Sequence, residues 1–336
     1  MSEHSTIEWT DATWNPIVGC SVVSPGCTNC YAMRLAGTRM ANHPTRRGLT
    51  TPSKAGPVWN GEVRLLEQKL TEPLRWKRPR MIFVCAHGDL FHESVPDEWI
   101  DRIFAVMALA PQHTFQILTK RSARMRDYLS GEYPLHRLHQ AAAGDFSGAL
   151  ARQFRPWGNV YSLYLGAPWP LPNVWLGVSV EDQERAEERI DDLLETPAEV
   201  RWISAEPLLG PLDLRKISWG QGCRAFDALA LSTHSHTSGN LIDWVVVGGE
   251  SGPCARPMSP DWARSLRDQC AATETPFFFK QWGEWAPIGR EGPALDRDGI
   301  PRDGGIRSVG RRAAGRLLDG VEHNGMPGGF GMVTPP

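Results

Sequence analysis

An excess of either charge is the first thing this chain lacks: 36 Lys and Arg stand against 38 Asp and Glu, a formal net charge of -2. Composition therefore gives no general bias toward nucleic acid, and a polyanion-binding surface would have to be local. Long apolar runs are missing too. No stretch approaches the roughly 18 consecutive apolar residues needed to span a bilayer, so no membrane partner is expected. The stretch Met1 to Thr10 is polar and holds no apolar leader core. Together with seven cysteines, this points to a reducing, cytoplasmic setting. A second Cys-x2-Cys knuckle is also absent, and paired knuckles are the usual frame of a closed tetrahedral zinc site.

What is present suits a sizeable core. The 336 residues are 41% hydrophobic and include 14 tryptophans. That length fits one large α/β barrel or two ordinary domains. The tryptophans fall in nearly every expected element and read mostly as core or wall residues whose indole N–H needs a partner.

In chain order, Ile7 to Pro16 reads as a short strand and turn that delivers a cysteine loop. A helix is expected over about Asn29 to Met40, then a long Gly-, Pro- and Arg-rich connection through Arg46 and Arg47 to Trp59. A helix at about Arg64 to Leu70 precedes the apolar run Met81 to Cys85, the pattern of a buried parallel strand. The unit then repeats. A helix follows Pro96, with acids in its first turn. Thr114 to Leu118 is the next strand, and a short helix ends near Leu129. Periodicity blurs from 130 to 172, which reads as a partly helical insertion.

Order resumes with the strand Val174 to Val180 and a charged helix from Glu181 to about Leu194. There Glu184 and Glu188 lie at helical spacing from Arg185 and Arg189, the mark of a solvated face. Val200 to Ser204, Ile242 to Val247 and Pro276 to Phe279 complete the strands. A polar excursion with His234 and His236 and a helix from Pro260 to about Ala271 lie between them. Alternating strands and helices imply right-handed crossovers and a parallel sheet. The expected fold is a partial or full (β/α) barrel of about six to seven strands over residues 1–285, followed by a Gly/Arg-rich extension over 286–336.

The most specific motif is Gly19-Cys20 … Pro25-Gly26-Cys27-Thr28-Asn29-Cys30-Tyr31, three cysteines separated by six and then two positions. Three thiolates from one loop suit a soft metal or an iron-sulfur cluster and leave one position open, whereas a disulfide would strand the third. Zinc, with His87 or His92 as fourth ligand, is the alternative. The remaining thiols, Cys85, Cys223, Cys254 and Cys270, lack knuckle spacing. They read as mostly buried, with Cys254 the exception because its loop is rich in Gly and Pro.

Each strand ends in polar or Gly-rich residues: Cys20, Gly88-Asp89, Thr119-Lys120, Ser179 with Glu181, Glu206, Gly248-Gly249-Glu250 and Lys280-Gln281. Barrel active sites are built from such carboxyl-end loops. Glu206 and Lys280 are the candidate catalytic residues, and an ion pair of Glu206 with Lys120 or Lys280 is the structural alternative.

These segments resemble radical S-adenosylmethionine proteins, distantly those of the spore photoproduct lyase type. The usual first cysteine gap there is three residues, and here it is six. Over most of the chain, Ile7-Glu8-Trp9-Thr10, Cys27-Thr28-Asn29-Cys30-Tyr31-Ala32, Asp89-Leu90-Phe91-His92-Glu93, Ser204-Ala205-Glu206-Pro207-Leu208 and Phe279-Lys280-Gln281-Trp282-Gly283 resemble a three-Cys-motif family of phage and bacterial proteins without a settled function.

The first resemblance implies a 4Fe-4S cluster on Cys20, Cys27 and Cys30, with S-adenosylmethionine on the fourth iron. Reductive cleavage would give methionine and a 5'-deoxyadenosyl radical that abstracts hydrogen from substrate. It further implies an electron donor such as a flavodoxin or ferredoxin. Tyr31 would contact the adenine, and Gly88 and Asp89 would meet the methionine amino group. Ser179 and Glu181 would face the ribose or carboxylate, and Gly248 and Gly249 would admit close backbone approach. The plain readings stand beside these: Asp89 as a helix cap or an Arg partner, Gly248-Gly249 as a turn, His87 and His92 as structural histidines.

The tail clusters Arg307, Arg311, Arg312 and Arg316. With Arg39, Arg46, Arg47, Lys120, Arg121, Arg124 and Arg126 near loop ends, this reads as a local basic rim for a nucleotide or nucleic-acid substrate. The tail reads equally as a segment wrapping the barrel. The function expected is a radical S-adenosylmethionine-type enzyme; the alternative is a non-catalytic, zinc- or cluster-stabilised binding module for nucleic acid or a partner protein.

Overall fold

A computed structural model describes residues 5, 7–131, 136–138, 140–141, 168–219, 224–231, 238–287 and 305–328. The first elements are β1 (Ala12–Trp14), β2 (Ile17–Val18), α1 (Tyr31–Gly37), β3 (Thr50–Ser53), β4 (Gly56–Trp59), β5 (Arg64–Leu65) and α2 (Glu67–Leu70). Next come β6 (Met81–Val84), α3 (Asp97–Ala108), β7 (Thr114–Thr119), α4 (Ser122–Leu129), β8 (Val174–Ser179), α5 (Gln183–Glu195) and β9 (Val200–Ala205). The chain continues through β10 (Ile217–Trp219), β11 (Arg224–Phe226), β12 (Trp244–Gly248), α6 (Pro260–Ala272) and β13 (Phe277–Gln281). It closes with β14 (Trp285–Pro287), β15 (Ile306–Ser308) and α7 (Arg311–Ala314).

The main sheet has seven strands in the order β1-β6-β7-β8-β9-β12-β13. The registers of β1 on β6, β6 on β7, β7 on β8 and β12 on β13 are all parallel. Helices α3, α4, α5 and α6 each connect one strand to a parallel successor, as crossover connections require. The open order makes this a half-barrel, so of the two closures expected the partial one is found. Strands β8 and β12 are buried at every position, which is why they read as continuous apolar runs rather than alternating ones. Among the described residues no helix is long and apolar enough to cross a membrane.

Three local expectations are corrected. The connection before Trp59 is not structureless: β3 and β4 pair antiparallel, with Pro52 opposite Pro57. The prolines obscure strand character because they donate nothing to a ladder. Arg64 and Leu65 are strand rather than helix, paired with Val18 and Ile17, so tertiary pairing overrides helical propensity there. On α5, Arg185 faces Glu184 and Glu188 as expected, but Arg189 is 1% exposed and belongs to the core. The insertion expected at 130–172 lies largely outside the described residues, and so do Cys223, His234 and His236.

The chain divides into two compact units: Met1–Ser24, Ala32–Val178 and Arg189–Trp202 in the first, and Pro25–Tyr31, Ser179–Glu188 and Ile203–Pro336 in the second. Aromatic residues build both cores. In the first, Trp9 packs edge-on against Phe83 at 4.9 Å and Trp202 at 5.2 Å, and the Trp14 indole donates to the Lys69 carbonyl at 2.8 Å. In the second, Trp244 packs on Phe278 at 6.2 Å and donates to the Gly325 carbonyl at 2.8 Å. The Trp14 and Trp244 indole N–H groups thus find the acceptors their burial requires.

The described C-terminal segment lies along edge strand β13. Asn324 bridges Phe278 antiparallel, Phe279 N–H donates to the His323 carbonyl at 3.0 Å, and Gly325 N–H donates to that of Phe277 at 2.9 Å. Covering an edge this way removes a template for aggregation.

Candidate functional site

The first unit holds the start of the cysteine loop. Gly19 forms a parallel bridge with Gly88, beyond the end of β6, and Gly19 N–H donates to the His87 carbonyl at 3.1 Å. A Cβ on Gly88 would stand 3.0 Å from the Gly19 oxygen and 3.1 Å from that of Ile17. Gly88 is therefore needed where the two backbones meet.

Asp89 follows, buried to 6% exposure. Its Oδ1 accepts from Thr119 Oγ1 at 2.7 Å and Phe91 N–H at 3.0 Å; its Oδ2 accepts from Arg121 Nη1 at 3.0 Å and Lys120 N–H at 3.3 Å. Four protein donors match the capacity of a carboxylate. Of the two plain readings offered for Asp89, the arginine partner is the one realised.

Arg121 is the hub of this constellation. Besides Asp89, its Nε donates to Glu93 at 2.9 and 3.0 Å, its Nη2 to Ser21 Oγ at 2.7 Å, and its Nη1 to Cys20 Sγ at 3.6 Å. Burial would pull its pKa down, but the charges of Asp89, Cys20 and Glu93 outweigh burial and hold it above the usual arginine value.

His92 is 2% exposed. Its Nδ1 accepts Ser94 N–H at 3.1 Å, which puts the proton on Nε2, 3.0 Å from the Ser21 hydroxyl. Burial, and then the charge of Arg121, lower its pKa. Both ring nitrogens are engaged, so the structural reading of His92 holds. His87 Nδ1 accepts from Arg46 Nη2 at 2.8 Å, and burial, with Arg46 second, pushes its pKa down to about 4.

The second unit holds Cys27 and Cys30. Pro25–Cys27 forms a 3-10 turn, and Cys30 N–H donates to the Cys27 carbonyl at 3.2 Å. Residues at strand ends grip this segment from several sides. Gly26 N–H donates to Oε1 of the fully buried Glu181 at 3.1 Å. The Asn29 side chain donates to Glu250 Oε2 and to the Cys254 carbonyl, both at 2.9 Å. Arg256 donates through Nη2 to the Pro25 carbonyl at 2.9 Å and to Glu250 Oε1 at 2.5 Å, and through Nε to Oε2 at 3.0 Å. Burial would raise the Glu250 pKa; the bonds from Arg256 and Asn29 prevail and hold it below the ordinary carboxylate range.

Glu206, past the end of β9, and Lys280, near the end of β13, are paired, with Nζ 2.8 and 2.9 Å from the carboxylate oxygens. Gln281 Nε2 adds a donor at 3.0 Å, and Arg311 Nε donates to Gln281 Oε1 at 2.6 Å. Of the two lysines considered, Lys280 is the partner. A Cβ on Gly248 would stand 3.1 Å from the Glu206 carboxyl carbon, and one on Gly249 would stand 2.0 Å from the Trp282 oxygen. The close approach these glycines permit is to the protein's own groups. Ser179, the last residue of β8, is 4% exposed, while Tyr31, the first of α1, is 58% exposed.

No disulfide joins the six described cysteines. Cys20, Cys27 and Cys30 are half-buried, Cys254 is exposed, and Cys85 and Cys270 are buried, as expected. Burial pushes the last two thiols up to about 12. Among the described residues, no group of three or more His, Cys, Asp or Glu is arranged to hold a metal ion. The donor chemistry of the three half-buried loop thiols, unbridged and with Cys20 facing a cation, fits a thiophilic centre.

The expected basic rim is thinner than the sequence implied. Arg121, Arg124 and Arg126 each pair with carboxylates: Asp89 and Glu93, Asp97, and Asp127 and Asp192 respectively. In the tail, Arg316 stacks 4.9 Å from the Phe278 ring centre, while Arg307 and Arg312 are exposed. Sequence reasoning missed Arg121, Asn29 and Arg256 as site residues. Arg121 follows a strand end, a usable signal; nothing in sequence separated Arg256 from other loop arginines.

No curated protein and no solved structure matches the chain. A family model described as "Protein of unknown function (DUF5131)" matches residues 4–327, nearly the whole length, and the chain belongs to that family.

Proposed function

We propose that this protein is an iron-sulfur protein of radical S-adenosylmethionine type acting on a nucleotide or nucleic-acid substrate. One observation carries the reading: the Cys27–Cys30 turn is held by side chains from the carboxyl-end loops after β8 and β12, where barrel enzymes assemble their sites. Cys20, Cys27 and Cys30 would hold a 4Fe-4S cluster, which when bound supplies one-electron reduction of S-adenosylmethionine. Asp89 and Arg121 orient the Cys20 segment, and Glu181, Glu250 and Arg256 orient the Cys27–Cys30 segment. Glu206 and Lys280 form a proton-carrying pair at strand ends, suited to acid-base work on substrate. The exposed Tyr31 ring offers a stacking face for a base. The exposed Arg307 and Arg312 offer phosphate contacts.

The test is anaerobic purification followed by iron, sulfide and zinc analysis, with electron paramagnetic resonance of the reduced protein before and after S-adenosylmethionine. About four irons per chain and a spectrum altered by the ligand are expected. Cys27→Ala is expected to lose the centre, and Cys254→Ala to keep it. One zinc without iron would sink the enzyme reading and leave a metal-stabilised binding module.

A further inference from the structure

Several arginines of the first unit pair with acids. Arg64 pairs with Glu62, Arg102 with Glu67, Arg121 with Asp89 and Glu93, and Arg124 with Asp97. Arg46 is as buried as Arg121, at 6% against 7% exposure, yet has no carboxylate partner among the described residues. Its bonds go to neutral acceptors: Nη1 to the Thr45 oxygens Oγ1 at 2.9 Å and O at 3.3 Å, and Nη2 to His87 Nδ1 at 2.8 Å. Burial lowers its pKa, and no acid offsets the effect. A buried charge without a counter-charge is costly, and an anion from outside the fold would offset that cost.

The unused donors have a definite shape. A guanidinium has five N–H groups, and these bonds take both on Nη1 and one on Nη2. The Nε–H and the second Nη2–H remain, and the Nε is not sealed from solvent. This Nε/Nη2 edge is the one that binds an oxyanion side-on. Elsewhere the chain uses the same edge on carboxylates: Arg64 on Glu62 at 3.0 and 2.6 Å, and Arg264 on Asp319 at 2.9 and 2.7 Å. Glu62 is thereby committed to Arg64. His87 stands beside Arg46 with Nδ1 as acceptor, so its proton is on Nε2 and the ring adds no negative charge.

We propose that Arg46, positioned by Thr45 and His87 beyond the carboxyl end of β6, is an anion-binding residue that takes the phosphate or carboxylate group of a small ligand through its Nε/Nη2 edge. The site needs no metal, so it stands or falls apart from the cluster reading.

The test measures binding of inorganic phosphate, AMP and methionine to the full-length protein by calorimetry and thermal shift, with adenosine as the uncharged control and chloride matching ionic strength. At least one anion is expected to bind wild type, at least tenfold more weakly to Arg46→Gln and with intermediate affinity to Arg46→Lys. A response to AMP and phosphate assigns the site to a phosphate-bearing ligand; a response to methionine alone assigns it to a carboxylate. Arg46→Gln is expected to melt at or above the wild-type temperature, since it removes an uncompensated cation. Failure of every anion to bind wild type, or equal binding to wild type and Arg46→Gln, would overturn the proposal. So would an Arg46→Gln protein that melts far below wild type with no anion response in either. Metal content does not enter these readouts, so their failure is distinguishable from failure of the cluster reading.

Discussion

The two segments of the cysteine loop are held by the same chemistry with opposite polarity. Around Cys20 a buried cation is the hub: Arg121 reaches two carboxylates, a hydroxyl and a thiol. Around Cys27 and Cys30 a buried carboxylate is the hub: Glu250 collects Arg256 and Asn29, and the Arg256 side chain is 35% exposed. The difference has a physical consequence. Removing the hub strands a sealed charge in the first case, but in the second it leaves a cation that water can reach.

Breaking the first hub is therefore the largest expected effect. Arg121→Met should cost about 3–5 kcal/mol by denaturant unfolding, because Asp89 stays buried without its cation. Arg121→Lys should recover little of this, since one ammonium cannot reproduce bonds made from Nε, Nη1 and Nη2 at once. Full stability in either variant would remove Arg121 as the hub.

Breaking the second hub should cost less. Glu250→Gln is expected to lose about 1–3 kcal/mol, since the amide oxygen still accepts from Asn29 while Arg256 hydrates. Because the folded pKa of Glu250 lies below its ordinary value, its contribution is present at neutral pH and is lost as pH falls below the usual glutamate range. The stability-pH curve of Glu250→Gln should accordingly be flatter than wild type on the acid side. A parallel curve would mean that the Glu250–Arg256 pair contributes nothing.

A surface network gives the smallest effect and calibrates the other two. Asp319 pairs with Arg264 and Arg267, both at 2.7 Å, with side chains 37%, 41% and 26% exposed. Hydrogen bonds from Arg264 lead the causes that pull Asp319 down to about 2. Its contribution is thus present above the usual aspartate range and fades as pH falls toward about 2. Asp319→Asn should cost no more than about 1 kcal/mol, and less at high salt, because exposed pairs are screened.

Much of the fold was legible because periodicity survives without tertiary knowledge. The runs Val174 to Val178 and Trp244 to Gly248 are apolar throughout, as strands buried on both faces must be, and Met81 to Val84 is apolar as well. The hairpin of β3 and β4 was hidden by Pro52 and Pro57, and the strand at Arg64 by its shortness. Within the candidate site, an ion pair of Glu206 was readable, but Lys120 and Lys280 were equally eligible partners. Arg46 and Arg121 looked alike in sequence, two arginines near loop ends. Arg121 proved to be paired with acids and Arg46 to have none among the described residues, a distinction that depends on which side chains the strands bring near.

The alternation of strands and helices, the cysteine spacing and the placement of polar residues near strand ends are properties of short segments and can be read locally. Only the tertiary structure decided that Asp89 closes on Arg121, that Lys280 takes Glu206, and that Arg256 and Asn29 converge on Glu250. Asn29 and Glu250 lie 221 positions apart in the chain. Partners at that distance are set by strand order and register, which no local pattern encodes.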